Sequence, residues 1–184
     1  MNYCTCHHNP WYYPMHNQYN TLYWGNQGSD YQRWQHNYWS NQQYPSDTNN
    51  KLEDFGRQPF VINIEKAAKQ NNAFRKAIWT GENLQVTLMS INVGDDVGLE
   101  VHPNVDQFVS IEDGEGYISI GDTRDNLYFR KRVSAKDAIM IPAGKWHNLI
   151  NTGNRPLKLF TIYAPPEHPF GTIHATKMDA MKAE

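Results

Sequence analysis

Short stretches of alternating apolar and polar residues follow one another from about residue 74 onward. Examples are FRKAIWT (74–80), QFVSIED (107–113) and GYISIG (116–121), and Gly, Asn, Asp or Pro stands at most of their boundaries. A period of two predicts strands with one buried face, and these boundary residues favour turns. Many short strands with almost no helix predict an all-β fold, either an antiparallel sandwich or a barrel.

Two segments depart from this alternation. Before the strands, PFVIN (59–63) predicts one further strand and IEKAAKQ (64–70) predicts a short helix. In LKLFTIYAP (157–165), apolar residues occupy both faces of the predicted strand, at Leu157, Leu159, Phe160 and Ile162. Since strands of this kind are covered on both sides, we expect a second subunit to provide the cover and predict a homodimer.

The first 50 residues have a different composition. They contain no Ala, Val, Ile, Lys or Glu, and Tyr, Trp, Asn and Gln dominate. Without aliphatic side chains this segment cannot form a conventional core, so we predict a low-complexity arm at residues 1–55 and a folded domain with a C-terminal extension at residues 56–184. Segments rich in amide and aromatic side chains tend to self-associate, and self-association is the function that we expect for this arm.

Charge and cysteine content exclude several classes of protein. The formal net charge is −2 over 184 residues, which argues against nucleic acid or a membrane surface as a partner. No apolar run is long enough to span a membrane or to form a signal peptide, and two cysteines provide no disulfide framework. We therefore expect a cytoplasmic protein.

Polar residues at unexpected positions indicate a metal site. Glu100 and His102 are two residues apart and share one face of a strand, and the turn PNVD (103–106) can bring Gln107 beside them. His147 follows a Pro-x-Gly turn much later in the chain. Two imidazoles, one carboxylate and one amide oxygen can bind a divalent first-row metal. The alternatives are histidines that only line a barrel, a glutamate that is solvated at its rim, and a glutamine that only orients a bound water.

The spacing of these residues resembles two motifs of the cupin family. The first motif has Gly, five residues, His-x-His, three or four residues, Glu, six residues and Gly; here Gly94, Glu100, His102, Gln107 and Gly114 occupy those positions. The second has Gly, five residues, Pro-x-Gly, two residues, His, three residues and Asn. The matching positions here are Lys136, Pro142, Gly144, His147 and Asn151.

This resemblance implies a cupin jelly-roll β-barrel with one divalent ion, Zn, Mn, Fe or Ni, held by Glu100, His102, Gln107 and His147. Glutamate replaces the first histidine of the family pattern and glutamine replaces its glutamate, so the ligand charge stays at minus one. The ending APPEHPFGTIH (164–174) resembles that of small bacterial single-domain cupins often labelled mannose-6-phosphate isomerase-like. A sugar or sugar phosphate is thus the leading substrate class, with isomerase chemistry, or dioxygenase chemistry if the ion is iron.

Other interpretations stay open. The protein could bind a ligand without turnover, or it could be a structural cupin at a spore surface, since the N-terminal arm loosely resembles segments of spore-coat proteins. Cys4, Cys6, His7 and His8 offer donors for Zn or Cu(I), but no matching second half is present. His168 could belong to a lid, and Asn151 is expected to be structural.

Overall fold

The computed structural model describes residues 52–183. The N-terminal arm predicted at residues 1–55, with the Cys4, Cys6, His7 and His8 cluster, lies almost entirely outside the described residues. Two helices are present in the described part of the chain, α1 (Ile64–Gln70) and α2 (Lys177–Ala183). The strands are β1 (Arg75–Thr80), β2 (Gln85–Ile91), β3 (Glu100–Val101), β4 (Asp106–Asp113), β5 (Glu115–Gly121), β6 (Phe129–Ser134), β7 (Ala138–Ile141), β8 (Trp146–Asn151), β9 (Leu157–Ala164) and β10 (Ile173–His174).

The strands form two antiparallel sheets, as the all-β prediction required. The larger sheet has the order β10-β1-β2-β9-β4-β7, and the smaller one has the order β3-β8-β5-β6. Their inner faces enclose one apolar core, formed largely by alternate residues of β2, β4, β5, β7 and β9. Among its most deeply buried members are Ile91, Ile111, Ile118, Leu157 and Leu159.

Helix α1 covers part of the outer face of the larger sheet. Ala68 is fully buried there against Ile78 and Leu88, and Phe160 is packed against the same cluster. Part of the apolar outer face of β9 is therefore covered within the chain, which removes part of the reason for predicting a homodimer. The homodimer itself stays a prediction.

The prediction of a strand at residues 59–63 was wrong. This segment pairs with no strand among the described residues, and Val61 is 75% exposed. It leads instead to Asn63, whose side chain accepts a hydrogen bond from the backbone N–H of Lys66 and so caps α1. β-Propensity alone does not make a strand where no neighbouring strand offers a ladder.

The helix α2 was not predicted from the sequence. Lys177 at its start pairs with Asp95 at 2.9 Å and with Asp96, both in the loop between β2 and β3. Ala180 is buried and joins the main core. No helix in residues 52–183 has the length and apolar character needed to cross a membrane.

Candidate metal centre

Glu100 and His147 lie side by side on neighbouring strands. They are directly paired in the antiparallel register of β3 and β8, so their side chains project from the same face of the smaller sheet. His102 follows β3 two residues after Glu100 and is 6% exposed, while His147 is 2% exposed. Strand register thus brings together residues 47 positions apart.

A turn joins the two halves of the site. The backbone N–H of Gly144 donates to the carbonyl of His102 at 2.8 Å. Gly144 has a φ of 77°, a left-handed conformation that most side chains disfavour. The hydrogen bond from Gly144 connects the Pro-x-Gly turn before β8 to the backbone of His102.

Three donor atoms converge at the centre of this arrangement. Oε1 of Glu100 lies 3.6 Å from Nε2 of His102 and 3.4 Å from Nε2 of His147. One ligand atom from each residue lies within 4.8 Å of the other two. Donors that each lie about 2.1 Å from one ion, at roughly tetrahedral or octahedral angles, are about 3.0–3.4 Å apart. The two distances from Glu100 are close to that expectation.

Hydrogen bonds at the far side of each imidazole leave Nε2 available. Nδ1 of His147 lies 3.0 Å from the carbonyl oxygen of Lys145, and Nδ1 of His102 lies 3.0 Å from Oε1 of Glu167. Because a carbonyl or carboxylate can only accept, each Nδ1 carries the proton. Within residues 52–183, both buried Nε2 atoms lack a hydrogen-bond partner. Such atoms are costly unless something binds them, so the residues present fit a divalent ion.

Gln107 lines the cavity that Glu100 and His147 also line. It is 6% exposed, and its Nε2 donates to Oγ1 of Thr161 at 3.1 Å. Its Oε1 is buried and finds no hydrogen-bond partner in the described part of the chain. An amide held by its nitrogen, with its oxygen unpaired, suits a fourth ligand or a partner for a bound water.

Arg75 is a charged neighbour of the site that the sequence did not reveal. It is 1% exposed on β1, and its Nη2 lies 3.6 Å from Oε2 of Glu100. Burial alone would raise the pKa of Glu100, but His102 and His147, when their Nε2 atoms are also protonated in the metal-free protein, together with Arg75 outweigh it and lower that pKa to about 2. The carboxylate is therefore ionised and able to act as a ligand.

Tyr163 and His168 form the wall beside His102. The Tyr163 ring meets His102 edge-on at 5.5 Å and His168 edge-on at 5.0 Å between ring centroids. Burial raises the pKa of the Tyr163 phenol, which stays protonated. Burial, assisted by the charge of Arg75, lowers the pKa of His168 to about 3, so that this imidazole is neutral near pH 7.

The enclosed space at the site is small. The cavity lined by Glu100, Gln107 and His147 has a volume of about 10 Å³, and its other walls are aliphatic side chains such as Val109 and Leu159. This is about the space that one water molecule requires. An ion fits there, whereas an organic ligand does not.

Spacing in the sequence indicated Glu100, His102, Gln107 and His147 but not their surroundings. Arg75, Tyr163 and the contact of Glu167 with His102 depend on pairings between distant segments. Alternation of polar residues in β9, where Thr161 and Tyr163 share the inner face with Leu159, was the one available signal. Asn151 is structural, as expected: its Nδ2 donates to the carbonyls of Ile91 and Arg155.

Comparison with known proteins agrees with this architecture. The model of the cupin domain matches residues 87–163. The protein YrkC of Bacillus subtilis is 59% identical over 138 residues, which cover 75% of this chain and 74% of the relative. A protein of the Acanthamoeba polyphaga mimivirus is 37% identical over 117 residues, which cover 63% of this chain and 71% of the relative.

Solved structures show the same fold. A crystal structure from Bacillus halodurans is 59% identical, has a TM-score of 0.70, and matches 71% of this chain and 98% of its own. A protein with a double-stranded β-helix domain from Klebsiella pneumoniae, at 16% identity and a TM-score of 0.50, matches 65% of this chain and 100% of its own. Two sheets with this topology, the two motifs in register and these relatives together show that the chain belongs to the cupin superfamily.

Proposed function

We propose that this cupin binds one divalent first-row metal ion through Glu100, His102 and His147, with Gln107 as a fourth donor, and uses it to bind and transform a small anionic molecule. The observation that carries this proposal is the convergence of three buried donor atoms within 4.8 Å. With all four donors bound, a six-coordinate ion such as Fe²⁺ keeps two positions vacant, whereas a tetrahedral Zn²⁺ keeps one vacant only if Gln107 does not bind it. When bound, the ion supplies Lewis-acid polarisation of a ligand oxygen.

The charges around the site favour an anionic ligand. Glu100 and Glu167 contribute two negative charges, Arg75 contributes one positive charge and a divalent ion contributes two, so the formal sum is plus one. A buried net charge is costly, and a monoanionic ligand would neutralise it. The anionic group would lie between the ion and the Arg75 side of the site.

A sugar phosphate remains the leading substrate class that the resemblance implies, with isomerase chemistry. The cavity of about 10 Å³ does not enclose a sugar ring, so such a substrate would bind across the outer side of the ion. Stoichiometric iron would favour dioxygenase chemistry instead, and zinc, manganese or nickel would favour the isomerase interpretation.

The second candidate is a binding protein without turnover, in which all coordination positions are filled by the chain or by water. The small volume of the cavity favours it. A structural role in a spore-type assembly would depend on self-association through the N-terminal arm. This role and the homodimer are both proposals.

Elemental analysis of protein purified without chelators or affinity nickel tests the metal site. We expect close to one equivalent of a transition metal in the wild type and a loss of most of it in Gln107→Ala combined with His147→Ala. A metal-free wild type that also fails to take up added Zn²⁺, Mn²⁺, Fe²⁺ or Ni²⁺ would refute the proposal.

Azide, a small monoanion, added to the protein loaded with Co²⁺ tests whether the ion keeps coordination positions open to a ligand. A saturable change in the visible spectrum is expected if an anion can reach the ion. The same titration of Arg75→Met should require more azide, provided that circular dichroism shows the variant folded. No spectral change at any azide concentration would leave the binding protein without turnover as the better account.

A further inference from the structure

The chain that follows β9 crosses beside the metal site and ends in ordered contacts. Residues 164–168, which we call the crossing segment, begin with a cis peptide bond between Ala164 and Pro165. Gln85, which is fully buried, holds the segment at its far end. Its Nε2 donates to the carbonyl of His168 at 2.9 Å, and its Oε1 accepts from the N–H of His168 at 3.0 Å.

These two hydrogen bonds fix the backbone next to Glu167. The Gln85 amide is also tied to Thr80, whose Oγ1 accepts from Nε2 at 2.9 Å, so the amide cannot rotate without losing three bonds. The His168 ring packs edge-on against Tyr163 and adds a second point of attachment. Glu167 is therefore presented from a segment that is held on both sides.

The Glu167 carboxylate meets His102 at the atom opposite the metal-binding nitrogen. Oε1 of Glu167 lies 3.0 Å from Nδ1 of His102, while Nε2 of the same ring lies 3.6 Å from Glu100. A carboxylate that accepts the Nδ1–H keeps the proton off Nε2, fixes the ring plane and increases the basicity of Nε2. Without this acceptor, the proton could sit on Nε2, the atom that an ion would need.

We propose that Glu167 is a positioning residue for His102, and that Gln85 keeps it in place through the crossing segment. This inference rests on the proposed metal site, because it assigns Glu167 a role toward a ligand of that site. Glu167 acts through His102 and does not itself contact the ion. The same task at His147 is performed by the carbonyl of Lys145, so the two imidazoles reach the same tautomer by different means.

The test compares Glu167→Ala and Glu167→Gln with the wild type and with Glu82→Ala, a control that removes an exposed carboxylate in the loop between β1 and β2. Zn²⁺ affinity is measured by competition with a chromophoric chelator. Glu167→Ala is expected to bind Zn²⁺ about 10–100-fold more weakly, which is the usual effect of removing a partner of a metal-binding histidine. Glu167→Gln, which keeps an acceptor but not the charge, should lie between, and Glu82→Ala should match the wild type.

The tautomer of His102 is the second measurement, because a purely structural role of Glu167 would not change it. Nitrogen-15 NMR of the metal-free protein, at a pH where His102 is neutral, should show Nδ1 protonated in the wild type and protonation shifted toward Nε2 in Glu167→Ala. An unchanged tautomer in both Glu167 variants would overturn the inference. Because this measurement needs no metal, it gives a result even if the wild type fails to bind Zn²⁺ and the proposed function falls.

Discussion

His102 and His147 present the same nitrogen to the same point, but the regions that hold them differ. His147 is held by its own strand: the acceptor for its Nδ1 is the carbonyl of Lys145, two residues earlier. His102 is held by Glu167, which lies 65 residues later in the chain, with a partly exposed side chain at the edge of the site. One histidine is positioned by local backbone, and the other depends on tertiary structure.

This difference has consequences for how each histidine can be disturbed. A carbonyl next to a paired strand cannot be removed by substitution and moves little, because its neighbours in β8 pair with both β3 and β5. The Glu167 carboxylate, by contrast, can be removed by substitution, although Gln85 holds the backbone of the segment that carries it. We therefore expect the His147 side of the site to be robust and the His102 side to be adjustable.

The largest expected effect comes from removing either imidazole. His102→Ala and His147→Ala should each weaken Zn²⁺ binding by more than the 10–100-fold expected for an outer partner, because a ligand is lost outright. Chelator competition measures both affinities, and His36→Ala in the N-terminal segment is the matched histidine control. If either variant kept the wild-type affinity, that histidine would not be a ligand and the comparison between the two would lose its basis.

The same difference explains what could be predicted from the sequence. Pro142, Gly144 and His147 lie close together in the sequence, and their resemblance to the second cupin motif was enough to indicate them. Glu100 and His102 were indicated by alternation in one strand, and the all-β fold followed from the same pattern. The partner of His102 could not be predicted in this way, because no local pattern connects residues 102 and 167.

Arg75 illustrates the same limit. In the sequence it is one of several basic residues at strand ends, and nothing in FRKAIWT separates it from Lys76. Only the pairing of β1 within the larger sheet places it inside, next to Glu100. The sequence indicates an interior polar residue when that residue belongs to a short motif. It does not do so when the residue is brought to the site by the pairing of distant strands.

Acid should destabilise the protein through His168, which lies in the crossing segment. The pKa of His168 is lowered to about 3 in the folded protein, whereas an unfolded histidine titrates near 6.5. Between these values the unfolded state binds the extra proton, so stability is lost as the pH falls below about 6.5. By pH 4.5, two pH units below the pKa of the unfolded histidine, this group should lower the free energy of unfolding by about 3 kcal/mol.

His168→Phe isolates this contribution, because phenylalanine keeps a ring against Tyr163 but cannot be protonated. Urea unfolding of the metal-free wild type and of the variant, each near neutral pH and near pH 4.5, should show that the variant loses less free energy of unfolding in acid, by about 3 kcal/mol. The raised pKa of His102 acts with the opposite sign, but it is common to both proteins and cancels in the difference. Equal acid losses would mean that His168 is not held neutral by burial.

The smallest expected effect concerns the start of the His147 motif, where Lys136 stands at the glycine position of the family pattern. Lys136 has a φ of 80°, which costs a non-glycine residue about 1 kcal/mol. Lys136→Gly should therefore raise the melting temperature slightly. Gly114, with a φ of 88°, gives the opposite case, since an added Cβ would lie 3.0 Å from the carbonyl oxygen of Pro156, and Gly114→Ala should lower the melting temperature. His147 is held by β8 and by the carbonyl of Lys145, and not by the turn at Lys136, so the Zn²⁺ affinity of Lys136→Gly should equal that of the wild type. A changed affinity would show that the position of His147 also depends on this turn.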